Sequence, residues 1–325
     1  MTTRNRSLML LAIVATLLLA LIGAGCGGDE EGGSSGDAAA LLEKAFTTQV
    51  KSGDIDLDLT AEIDGADQPR GPDFFPDGAV TRLSLTLSGP FKSDGPKDIP
   101  VLDWDVTAEG AGQKFDVGLT VTDDNAFVSY QGETYEVGTE LFSQFKEQYA
   151  SQQPDQQPTL KSFGLEPASW LEDPKVEDGD EIGGDPTQVV TGSVDVEKVV
   201  RDLYSLTKSD AFQQQLESQG QSVPDIPEPS DEDIQKIVDA VDELTLEVNV
   251  DENDVARRLS VEADFTVPEG TGDGEVKGGS LSFAYILEEV GIDPQIEAPA
   301  NAKPLSELTQ QFAPLLGGGL GQPTP

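Results

Sequence analysis

The chain has 325 residues, no histidine and a single thiol, Cys26. The missing histidine removes the usual general base near neutral pH, the serine triad and the commonest zinc ligand together. Gly32-Gly33-Ser34-Ser35-Gly36 matches the nucleophile-elbow spacing, but it sits in a run of small and acidic residues, not between a strand and a helix. Asp54, Asp56 and Asp58 are spaced like the start of a calcium loop. Leu59 then occupies the position that must be glycine, so the three carboxylates read as a solvated strand face. Glu177, Asp178, Asp180, Glu181 and Asp185 offer calcium-binding oxygens without ordered ligand spacing, and a solvated loop is the simpler reading. With 61 acidic residues, nothing singles out a carboxylate pair for glycoside hydrolysis. No phosphate-cradling glycine loop with its lysine occurs, and no aromatic-basic stripe. A formal charge of −41 excludes nucleic acid and anionic headgroups as electrostatically attracted partners. The expectation is a protein that is not an enzyme and uses no metal or cofactor.

Cys26 has a different chemistry open to it. Arg4 and Arg6 precede an apolar run from Leu8 to Ile22, followed by Gly23-Ala24-Gly25 and the cysteine. A charged start, an apolar stretch of roughly 15 residues and a small-residue cleavage zone make a secretory signal, too short for the ~20 residues of a membrane span. The segment resembles a bacterial lipoprotein signal, in which the cysteine is acylated and becomes the new N-terminus. It departs from the usual pattern in having Gly23, not leucine, three residues before Cys26. The expected organisation is a signal over 1–25, a tether over 26–36 carrying lipidated Cys26, one folded domain over 37–315 and a loose tail over 316–325. With one cysteine, no intramolecular disulfide can support the fold, which must rest on its core.

The elements that would form that core announce themselves by period. Leu41, Leu42, Ala45, Phe46 and Val50 share one stripe of a helix from Asp37 to about Lys51, with Gly53 as its stop. Ile55, Leu57, Leu59, Ala61 and Ile63 then alternate with polar residues, as do Leu83 to Leu87, Leu102 to Ala108 and Phe115 to Val121. Turns at Gly110-Ala111-Gly112 and Asp123-Asp124-Asn125 make a meander, continued by Ala126 to Tyr130 and Thr134 to Val137. A helix from Thr139 places Leu141, Phe142, Phe145 and Tyr149 on one face, and the polar run 158–186 holds at most a short turn at Ala168 to Leu171. A strand at Thr187 to Val194 and a helix at Asp195 to Ser209 follow, then helical character around Ala211 to Leu216 and a proline-rich break at Val223 to Pro229. Ser230 caps a helix to about Asp242, with Asp233 in its first turn. Strands return at Leu244 to Val250, Leu259 to Val267 and Leu281 to Tyr285. About ten strands with one wet face give an α+β fold on a large antiparallel sheet.

Leu41 to Gly53 leading into the first strand, the stretch Ala126-Phe127-Val128-Ser129-Tyr130-Gln131-Gly132-Glu133-Thr134-Tyr135 and the ending Ile296-Glu297-Ala298-Pro299 lie behind this lipoprotein signal. In that order they resemble the LppX/LprG-type actinobacterial lipoproteins, LolA-like half-barrel carriers. The resemblance implies a sheet curled into a half-barrel whose concave apolar face, covered by helices, holds lipid chains or the acyl groups of a lipidated client. Leu57, Leu59, Leu85, Leu87, Trp104, Val106, Val117, Leu119, Phe142 and Phe145 would line such a cavity.

A packed core and a lipid cavity produce the same alternation, so a carrier of a hydrophobic ligand and an interaction or structural lipoprotein with a filled core both fit. An enzyme using carboxylates and hydroxyls alone would need buried acids facing a cleft. The partners expected are a lipid or acylated ligand, the membrane through the N-terminal anchor on its extracytoplasmic face, and a transporter or envelope partner. The chain is expected to be a monomer that binds no nucleic acid.

Overall fold

The computed structural model describes residues 37–65, 82–95, 97–152, 165–209, 213, 228–267 and 276–312. The signal, Cys26, the tether, the tail, the helical stretch around 211–216 apart from residue 213, and most of the proline-rich break lie outside the described residues.

Helix α1 runs over Asp37–Thr47. Ala38, Leu42 and Ala45, on one stripe, are buried. The helix stops a turn earlier than expected. The Thr47 and Thr48 hydroxyls donate to the Glu43 and Lys44 carbonyls, occupying the acceptors of the last turn. Gly53 ends nothing: it already belongs to β1 (Ser52–Gly65), where a Cβ would meet Leu287 Cδ1 at 2.9 Å.

Strands β2 (Arg82–Lys92), β3 (Val101–Gly110), β4 (Gln113–Val121), β5 (Ala126–Tyr130) and β6 (Glu133–Glu136) form the expected meander. Its turns at Ala111-Gly112 and Gln131-Gly132 put both central residues at positive φ, the type I′ form that matches strand twist. Helix α2 (Thr139–Gln152) follows.

A 3₁₀ turn at Pro167–Trp170 leads into β7 (Leu171–Asp178), a strand where the sequence pointed to a polar loop. The segment contains Pro174 and five acidic or basic side chains, and it forms as an edge strand with a bulge between Glu172 and Lys175. An edge strand has one pairing partner, and the bulge takes up the proline. Then come β8 (Thr187–Val194), α3 (Val196–Lys208) and α4 (Asp231–Ala240). The Lys198 amide donates to the Asp195 carboxylate, and Ser230 with Asp233 forms a full capping box. The fourth helix yields directly to β9 (Val241–Asp251), followed by β10 (Ala256–Thr266) and β11 (Val276–Glu288). A two-residue strand β12 (Lys303–Pro304) and helix α5 (Leu305–Phe312) complete the described chain, neither expected from sequence.

All twelve strands join one sheet in the order β12-β6-β5-β4-β3-β2-β1-β11-β10-β9-β8-β7. Every pairing is antiparallel except β12 with β6. The first and eleventh strands meet at the centre, so the sheet has an N-terminal arm from β1 to β6 and a C-terminal arm from β11 back to β7. The order begins at β12 and ends at β7 without returning, which leaves an open sheet of the half-barrel kind, with two strands more than expected.

Candidate functional site

Register decides which residues share the apolar face. Val176, Val190, Val248, Leu259, Tyr285, Leu57, Leu87, Val106, Val117 and Tyr130 stand opposite one another in ten successive strands. Beside that row run Leu246, Val261, Phe283, Leu59, Leu85, Ala108 and Phe115. On its other side Trp104 pairs with Leu119, and Leu119 with Val128. Period-2 alternation put these side chains on one face, and cross-strand pairing makes it continuous.

The two arms treat that face differently. At the centre of the sheet and on its C-terminal arm Leu42 of α1 packs with Leu57, Leu59, Val190, Val248 and Phe283, all buried, and Leu57 is 1% exposed; Leu85 and Leu87 of β2 pack against the same cluster, partly buried. Further out on the N-terminal arm Val106 of β3 and Val117 and Leu119 of β4 are partly buried. Phe142 of α2 is buried with Leu102, Val121 and Ala126 in a second cluster, against which Trp104 and Leu119 pack. A third cluster, Ile55, Val255 and Leu287, also meets Trp104, together with Leu87 and Tyr285.

The structure therefore gathers nine of the ten expected residues about one face: Leu57 and Leu59 in its packed centre, and Leu85, Leu87, Trp104, Val106, Val117, Leu119 and Phe142 on its N-terminal arm. Phe145 stands apart, 53% exposed beside Leu141 at 55%. Helix α2 turns Phe142 inward and leaves Leu141 and Phe145, on either flank of it, facing solvent. Tyr285, Phe283 and Tyr130 belong to the face and were not singled out from sequence, although their alternation carried the same signal.

Tyr285 is largely buried, and loss of water pushes its phenol up to about 12 despite the opposing field of Arg257. On the wet face, burial and the neighbouring Glu289, Glu288 and Asp56 raise Asp54 above the ordinary carboxylate value. Two surface hollows, of 420 and 290 Å³, lie beside the start of α2 and among Lys92, Asp94, Asp98, Asp123, Lys146 and Asp293. None of the ten expected residues lines either one.

The acidic loop 177–185 has a structural part. Arg257, fully buried, donates to Asp185 at 2.6 Å, to Asp251 at 3.0 Å and to the carbonyls of Leu287 and Ile182. Asp180 pairs with Arg258. Among the described residues no group of three or more His, Cys, Asp or Glu stands together to hold a metal ion. No helix among them is long and apolar enough to cross a membrane.

No protein-family profile matches the chain, and no curated protein matches it in sequence. Among the solved structures it is similar to are two mycobacterial proteins. One is the lipoprotein LppX of Mycobacterium tuberculosis, with 11% identity and a TM-score of 0.33, covering 81% of this chain and all of that one. The other is LprF of Mycobacterium bovis, with 12% identity and a TM-score of 0.36, covering 83% of this chain and all of that one.

Proposed function

We propose that the protein is a membrane-anchored extracytoplasmic lipoprotein, held through acylated Cys26, that binds or carries a hydrophobic ligand on the N-terminal arm of its sheet. The observation that carries this reading is one continuous apolar face, packed under α1 at its centre and only partly buried at Val106, Val117 and Leu119 further out on the N-terminal arm. Apolar area still open to water there is area that a hydrophobic ligand can bury. Burying ~400 Å² of acyl chain there at ~25 cal/mol per Å² would contribute ~10 kcal/mol before ordering costs. No bond is made or broken, and the ligand is a lipid, glycolipid or acylated client. Two acyl chains on Cys26 would give the stable attachment that one chain cannot.

A second reading, an envelope interaction protein with a filled core and no small ligand, draws on the tight packing of Leu57, Leu59 and Phe283. Native mass spectrometry of the full chain, released from its host's membranes in mild detergent, separates the two. A carrier arrives with lipid bound, and Val106→Glu, which sets a charge on the partly buried row, loses it. Ligand-free protein that takes up nothing from the host's lipid extract would overturn the carrier and leave the filled-core reading.

A further inference from the structure

The chain has two tryptophans, and their indole N–H groups differ. The Trp170 N–H donates to the Asp202 carboxylate at 2.7 Å. The Trp104 N–H is sealed from solvent and has no acceptor among the described residues. An indole nitrogen can only donate, and a buried donor without a partner is rare because its lost hydration is not replaced. Trp104 sits where the Phe142 and Ile55 clusters meet, against apolar side chains, on the arm whose outer rows are only partly buried.

We infer that Trp104 is a specificity-determining donor for the bound lipid: its indole N–H takes the carbonyl oxygen of a fatty-acyl ester of a glycerolipid whose chain lies along Leu87, Val106 and Leu119. This rests on the carrier reading and names the chemistry of its ligand. The nitrogen has no surface open to water, so an acceptor reaches it only on an apolar body that parts the side chains packed on Trp104. A neutral acceptor suits those apolar neighbours, since burying a charge among them would cost more. An ester carbonyl at the head of an acyl chain meets both conditions, and an alkyl ether of the same length keeps the apolar body while offering a far poorer acceptor.

The test compares a diacylglycerol with its dialkyl-ether analogue, each titrated into the delipidated full chain and into Trp104→Phe, which keeps an aromatic ring and removes the donor. The wild type is expected to bind the ester about tenfold more tightly, the worth of one neutral hydrogen bond. Trp104→Phe is expected to lose that preference while holding its affinity for the ether. In protein labelled with ¹⁵N-tryptophan the Trp104 indole proton, identified by its absence from the variant, should move downfield with ester and not with ether. The Trp170 resonance reports that the fold is intact. Equal wild-type affinity for both lipids, or an ester preference that survives Trp104→Phe, overturns the inference and leaves the carrier standing. Failure of the wild type to bind either lipid overturns the inference, and the carrier reading then falls only if the wild type also takes up nothing from its host's lipid extract.

Discussion

Arg257 shows how much a single residue can hold together. Its side chain ties β10 to the β7–β8 loop and the end of β11 through two carboxylates and two carbonyls, and it has no contact with water. Removing one partner of such a group strands the other charge, here Asp251, itself buried. Arg257→Ala is expected to cost ~3–5 kcal/mol in urea unfolding, and a cost below ~1 kcal/mol would mean that water solvates the pair. Tyr285 makes a prediction about pH. Its folded pKa of about 12 lies above the unfolded value of 10.0, so the folded state holds the proton longer. The contribution is fully present below pH 10 and is lost as pH rises from about 10 to about 12, amounting to at most ~3 kcal/mol. Tyr285→Phe should flatten that part of the stability curve relative to wild type, and identical curves would show the phenol to be solvated. The alternation of β11 placed Tyr285 on the apolar face, but nothing in the sequence named the carboxylates that let Arg257 be buried.

At the scale of elements, α2 is the piece whose orientation the sequence left open. Leu141, Phe142, Phe145 and Tyr149 all fit one broad stripe. The structure buries Phe142 and leaves Leu141 and Phe145 more than half exposed. Phe142→Ala is therefore expected to cost ~3–5 kcal/mol, and Phe145→Ala within ~0.5 kcal/mol of zero, by chemical denaturation. The reverse order would mean that the helix is turned the other way. The Ser230 cap was legible, since a cap is a local hydrogen bond between residues three apart, whereas Asp195, read as the first residue of its helix, turns out to be the N-cap. Strand β7 was illegible for the opposite reason. Leu171 is its one buried side chain, and what makes it a strand is the ladder offered by β8.

Across the whole molecule, the ends of the chain close the sheet's middle while its edges stay apart. Strand β1 pairs with β11 over twelve residues, from Asp54 opposite Glu288 to Gly65 opposite Val276. That seam joins the two arms into one apolar surface on which α1 and α2 sit at separate places. The proposed carrier role would use a packed centre to keep the fold without ligand and the partly buried outer rows to take one.

Period, turns and the Ser230 cap were settled by the sequence alone, as was the exclusion of histidine chemistry, because each depends on residue types or on neighbours a few positions apart. The alternation even placed Leu57, Leu87, Val106 and Val117 on the same face. The tertiary structure decided which strands are neighbours, which part of that face α1 covers, where Arg257 finds its carboxylates and why the Trp104 indole finds no acceptor among the described residues. Those outcomes depend on contacts between residues far apart in the chain, such as Arg257 with Asp185 and Leu57 with Tyr285. Hydrophobic alternation is the same whether a row ends up packed or open, and long-range pairing alone separates the two.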